Sequence, residues 1–265
     1  GAAHASLKSL QVTGKVTWNG GPVHHGASIA FVPQVDSLIP TMTVREQLLF
    51  VARLKNPSMD VVDVREKVAC VLGELGIDDI ADQYVGGTST LRGVSGGERR
   101  RCMIGMALVS SPRMIVLDEP LSGLDSYNAL IVTSTLKSLA DKGRVVLYSL
   151  HQPSDDIFMS LDVAIFMAHG KIVYQGPPED CRTVLEDAGV DTSDTKRARP
   201  LADTMVFALN EPRTCQILIG AGRIDKAGAV ERNSISDSSS LKHESPPLGL
   251  QASMVLYRTV VDIWR

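Results

Sequence analysis

The 265 residues contain no apolar run approaching the ~18–20 positions needed to span a bilayer, and no signal peptide is visible. They contain no paired cysteines. Cys70, Cys102, Cys181 and Cys215 stand far apart without a C-x-x-C, which argues against a zinc site or a disulfide framework and for a reduced, cytosolic chain. Basic charge is not in excess. The net charge of −3 leaves no positive field for nucleic acid. No internal repeat is present, and no lysine-bearing phosphate loop. The pattern G-x-x-x-x-G-K-[ST] needs glycines for its backbone cradle and a lysine for charge. Gly14-Lys15 and Gly170-Lys171 are followed by Val16 and Ile172 rather than a hydroxyl, and preceded at the required spacing by Ser9 and Ile165 rather than glycine. A starting methionine is also missing, so the chain is expected to be processed or cut from something longer.

What remains is ordinary for a globular chain, 44% apolar and 22% charged. "QVTGKVTW" (11–18) alternates like an exposed strand, and "ASIAFVPQ" (27–34) reads as a short buried strand ending in Pro33-Gln34. Thr43 and Glu46 stand in capping-box spacing before a helix to about Lys55. Val61, Val64, Val68, Val71, Leu72 and Leu75 share one helical face, and Gly76 stops that helix. A helix follows Ser95-Gly96-Gly97 and runs to Ser110, before Pro112. "RMIVLDEP" (113–120) and "RVVLYSLHQP" (144–153) are buried strands separated by a helix over 127–141. Residues 163–176 form a hairpin turning at His169-Gly170. Strands alternating with helices predict an α/β fold with a parallel sheet. Residues 231–248 are Ser- and Pro-rich, a flexible linker. The 249–265 segment puts Leu250, Met254, Tyr257, Val261 and Trp264 on one face of an amphipathic helix suited to a membrane interface.

Chemistry concentrates at strand ends and glycine turns. Asp118 and Glu119 close an apolar strand, where one acid can order Mg²⁺ and the other can take a proton from water, unless they are solvated acids. Ser95-Gly96-Gly97 opens a helix whose exposed N–H groups suit an anion, or simply caps it. Arg99, Arg100 and Arg101 read as a solvated or docking face. His151 and Gln34 follow buried strands, and either is a polar strand-end residue or a phosphate- or water-facing group. Asp125 has N-cap placement. His24-His25 belongs to a loop.

Taken in order, Gln34, "SGGE" (95–98), "LDEP" (117–120), "SGLD" (122–125) and "SLHQP" (149–153) resemble the nucleotide-binding domain of an ABC transporter. "RGVSGGERRR", "SGLDS", "SLHQPS" and "GKIVYQGP" are similar to the white-type G subfamily. Val94 departs from the usual leucine and Leu121 from threonine. The resemblance implies a P-loop NTPase domain of the ABC class over residues 1–230, incomplete for want of the P-loop, with a mainly helical subdomain at about 35–110. It implies ATP and Mg²⁺ as cofactors: Asp118 and Gln34 in the metal shell, Glu119 as catalytic base, His151 on the γ-phosphate. Ser95, Gly96, Gly97 and Asp125 would serve ATP held across a dimer of such domains. The aromatic that would stack on adenine is unplaced.

The expected function is therefore ATP hydrolysis coupled to export of a lipid-like or other hydrophobic substrate. The partners would be a second nucleotide-binding domain and a transmembrane domain toward which 249–265 leads, at the cytoplasmic face of a membrane. Two readings stay open beside it: a soluble, non-transport ABC ATPase, and an inactive truncated product acting only as an interaction module. Absence of the first strands would also leave a sheet edge exposed.

Overall fold

The computed structural model describes residues 29–87, 93–192 and 199–221, with the backbone of 17–18, 21–22, 223–224 and 253–258. His24-His25, Gly14-Lys15 and the 231–248 linker lie outside the described residues. Thr17–Trp18 (β1) and Gly21–Pro22 (β2) pair antiparallel. The rest is organised on one sheet built from Ile29–Val32 (β3), Met114–Leu117 (β4), Val145–Ser149 (β5), Val163–Ala168 (β6), Lys171–Gly176 (β7), Arg223–Ile224 (β8) and Ser253–Arg258 (β9). Its order is β3-β4-β5-β9-β6-β7-β8. The first five strands in that order run parallel. β6 and β7 form the antiparallel hairpin predicted from the sequence, with His169 and Gly170 at positive φ in the turn.

Between β3 and β4 the chain inserts a helical layer: Val44–Lys55 (α1), Val61–Leu75 (α2) and Gly96–Leu108 (α3). Local chemistry accounts for their ends. Thr43 and Glu46 make the capping box, Asp60 caps α2, and Gly76 ends α2 in the left-handed conformation that glycine tolerates. Val64, Val68, Val71, Leu72 and Leu75 are buried as their spacing predicts, but Val61, in the first turn, is 41% exposed. The three helices pack on one another at Gly105, where a Cβ would lie 2.9 Å from Leu48 and 3.0 Å from Leu75. After β4 come Ser126–Asp141 (α4), then Asp155–Met159 (α5), Cys181–Asp187 (α6), Leu201–Asn210 (α7) and Pro212–Ala221 (α8). No described helix is long and apolar enough to cross a membrane.

Three expectations are corrected. Among the described strands β3 lies at the edge of the sheet and is not doubly buried: Ala30 and Val32 point into the core while Ile29 and Phe31 are exposed. The three arginines after the Ser95-Gly96-Gly97 turn do not form a solvated face. Arg99 pairs with Asp36, Arg100 is only 9% exposed, and Arg101 donates to the carbonyls of Leu75 and Gly76 at the end of α2. The amphipathic helix expected over 249–265 is not formed at Ser253–Arg258, which make β9. β5 and β6 would otherwise face each other across an open seam of unpaired backbone groups. A parallel strand rich in Val, Leu and Tyr closes it on both sides.

Candidate functional site

Three adjacent parallel strands end side by side and carry the candidate residues. Gln34 follows β3 after Pro33, Asp118-Glu119 follow β4, and His151 follows β5 after Leu150. Ligands of open parallel sheets bind at this carboxyl edge. The register aligns Val32 with Leu117 and Leu117 with Tyr148, so the three strand ends reach one level. Gln34 Nε2 donates to Glu119 Oε2 at 2.8 Å. The Asp118 N–H donates to the Val32 carbonyl at 2.9 Å, extending the β3–β4 ladder by one rung. Ser149, the last residue of β5, donates its hydroxyl to Asp118 Oδ1 at 2.9 Å and accepts the Glu119 N–H at 2.8 Å. Glu119 itself has φ +41°, rare for a residue with a side chain.

His151 joins Glu119 through a cavity of about 380 Å³ whose walls include Ser122, Gly123, Leu124, Ser149 and Gln152. Ser95, Gly96, Gly97 and Asp125 are not among its walls. They lie at the starts of α3 and α4, which approach each other through Gly97 and Asn128. Ser95 Oγ accepts the Glu98 N–H while Glu98 Oε2 accepts the Ser95 N–H, a complete capping box. Asp125 caps α4 by accepting the Asn128 N–H at 2.9 Å, and its other oxygen accepts the Asn128 side-chain amide at 2.5 Å. The backbone N–H of Asn128 and then its side chain hold the Asp125 carboxyl below the usual aspartate range. A Cβ on Gly97 would fall 2.4 Å from Asn128 Oδ1, and one on Gly96 3.2 Å from Leu124.

The spacing argument overlooked two groups. Ser149 stands two residues before the histidine and gave no sign that its hydroxyl turns back to the acids. Arg100 donates to the carbonyls of Pro33 at 3.2 Å and Gln34 at 3.1 Å, so it fixes the backbone that presents Gln34. The middle arginine of a run of three carries no sequence signal for that contact. The buried thiols offer no rival chemistry: burial pushes Cys102 and Cys181 up to about 12.

A family model described as "ABC transporter" matches residues 5–122. The chain is 39% identical over 191 residues to the "Broad substrate specificity ATP-binding cassette transporter ABCG2" of Mus musculus, an alignment covering 71% of this chain and 29% of that protein. The chain belongs to the ABC transporter family. Its relatives within the G subfamily extend to plants. The "ABC transporter G family member 5" of Oryza sativa subsp. japonica is 39% identical over 193 residues, 71% of this chain and 24% of that protein. The ABCG2 transporter of Sus scrofa is 34% identical over 223 residues, 83% of this chain and 33% of that protein. The chain thus spans about a quarter to a third of the length of these relatives. The fold of this G-subfamily nucleotide-binding domain is that of the P-loop NTPases, with Gln34, Asp118, Glu119 and His151 following strands at the carboxyl edge of the sheet.

Proposed function

We propose that this chain supplies the water- and metal-facing part of an ATP-hydrolysing site in a transporter that exports a lipid-like or other hydrophobic substrate. The observation that carries the reading is the hydrogen bond from Gln34 to Glu119, with Asp118 beside it at neighbouring strand ends. Glu119 is the general base that takes a proton from the attacking water. His151 donates to the γ-phosphate, and the Gln34 amide, its nitrogen committed to Glu119, offers its oxygen to the metal or water shell. Asp118 supports Mg²⁺.

The donor chemistry fits that ion. A carboxylate and an amide oxygen are hard ligands of the kind Mg²⁺ takes, and it is usually held by one or two carboxylates together with substrate phosphates. Among the described residues no three His, Cys, Asp or Glu side chains gather as a free-standing metal centre. When bound, Mg²⁺ neutralises charge developing on the phosphates.

Ser95, Gly96, Gly97 and Asp125 serve ATP held by a second nucleotide-binding domain. A serine whose hydroxyl accepts within its own turn and keeps its hydrogen to donate supports this. A transmembrane domain completes the transporter, with this chain at the cytoplasmic face of the membrane. The transporter carrying Glu119→Gln is expected to lose ~10²–10⁴-fold in hydrolysis, as for removal of a general base, while still binding ATP. Turnover at the unsubstituted rate would overturn the assignment.

A further inference from the structure

We propose that Ser149 is a positioning residue that sets both acids at once. The inference rests on the ATP-hydrolysing reading above and deepens it. A serine hydroxyl has one hydrogen and two acceptor lone pairs. An ionised carboxylate can only accept and a backbone N–H can only donate, so the direction of both bonds is determined. The Glu119 N–H donates to Ser149 Oγ at 2.8 Å, and Ser149 Oγ–H donates to Asp118 Oδ1 at 2.9 Å. One side chain thereby ties the backbone of the second acid to the carboxylate of the first.

Glu119 needs that tie. Its φ of +41° is disfavoured for a residue with a Cβ. Pro120 follows, and a proline biases the residue before it toward extended backbone. Against both preferences stand the bond to Ser149, the Ser122 N–H donated to the Glu119 carbonyl at 3.1 Å, and the Gln34 bond to its side chain. Without the hydroxyl, the Asp118 carboxylate loses its orienting donor and the Glu119 peptide loses its anchor on β5. Ser149 is the last residue of β5, in register with Leu256 of β9 and next to Tyr148, which is in register with Leu117 of β4, so its Cβ direction is set by the sheet.

Two measurements test this. In the 265-residue chain, hydrogen exchange at the Glu119 amide is expected to accelerate at least ~10-fold in Ser149→Ala and to stay slow in Ser149→Thr, which keeps a hydroxyl. In the transporter, Ser149→Ala is expected to lower kcat by about 10–100-fold, the scale of a misplaced catalytic group, with KM for ATP within about twofold and Ser149→Thr restoring kcat. Should the alanine variant not fold, Ser149→Cys takes its place, as a near-isostere that hydrogen-bonds weakly. Unchanged Glu119 exchange, or unchanged kcat in a transporter that Glu119→Gln inactivates, overturns the proposal and leaves the broader reading standing. Full turnover in Glu119→Gln sinks the broader reading instead.

Discussion

Arg100 is the residue whose environment departs furthest from its sequence context. A guanidinium in a run of three arginines on a helix is normally solvated. This one is buried, and its fork spans the carbonyls of Pro33 and Gln34. Burial pulls its pKa below the ordinary arginine value, with Asp36 opposing, yet the group stays charged at any working pH. Removing it leaves two backbone carbonyls without their donor. Arg100→Met is therefore expected to cost about 2 kcal/mol, the scale for lost charged hydrogen bonds. The melting midpoint should fall by roughly 4–8 °C. Arg100→Lys should recover only part, because a single ammonium cannot bridge both oxygens with fixed geometry. A midpoint unchanged in Arg100→Met would refute this role.

At the scale of elements, the start of α3 is held against the start of α4 by the absence of side chains. Alanine in place of a helical glycine ordinarily gains about 1 kcal/mol. At Gly97 the added Cβ would meet Asn128 Oδ1 at 2.4 Å and its Cβ at 3.1 Å, while Asn128 is bound to Asp125. Gly97→Ala is expected to destabilise the domain by about 1–3 kcal/mol, as overpacking does. In combination with Asn128→Ala most of that loss should vanish, a coupling read by a double-mutant cycle in urea. Strictly additive effects would show that Gly97 is needed for some reason other than this contact. Other element signals were readable directly: Thr43 with Glu46, Gly76 and the His169-Gly170 turn each announce a boundary through local hydrogen bonding or a left-handed backbone. β9 was not readable that way. Its residues satisfy a helical face as well as a strand, and only the open seam between β5 and β6 decides between them.

At the scale of the molecule, Glu74 ties the helical layer to the sheet layer. It sits near the end of α2, 14% exposed, and pairs with Arg144 at 2.6 Å and Lys142 at 3.1 Å where the chain passes from α4 into β5. Burial pushes its carboxyl up, but the Arg144 and Lys142 hydrogen bonds outweigh that and hold it below the usual glutamate value of 4.5. A carboxyl lowered in the folded state contributes stability above its unfolded pKa and loses it as pH falls through the folded value. Glu74→Gln is accordingly expected to cost about 1–2 kcal/mol at pH 7 and progressively less below pH ~4.5, as the parent's own carboxyl protonates. Urea midpoints for the two chains at pH 7 and pH 3 check it. An equal gap at both pH values would mean that charge is not what joins the layers.

The sequence alone determined the class of fold, the approximate bounds of α1 to α4, and the order of Gln34, Ser95, Asp118, Glu119, Asp125 and His151, because hydrophobic period, capping chemistry and short motifs act over a few residues. The tertiary structure decided what long separations bring together: Gln34 on Glu119, Arg100 under the Gln34 backbone, Ser149 between the two acids, and a C-terminal strand in the middle of the sheet. Those contacts depend on strand order and register. Both are set by which backbone groups and apolar faces remain unsatisfied once every element has formed.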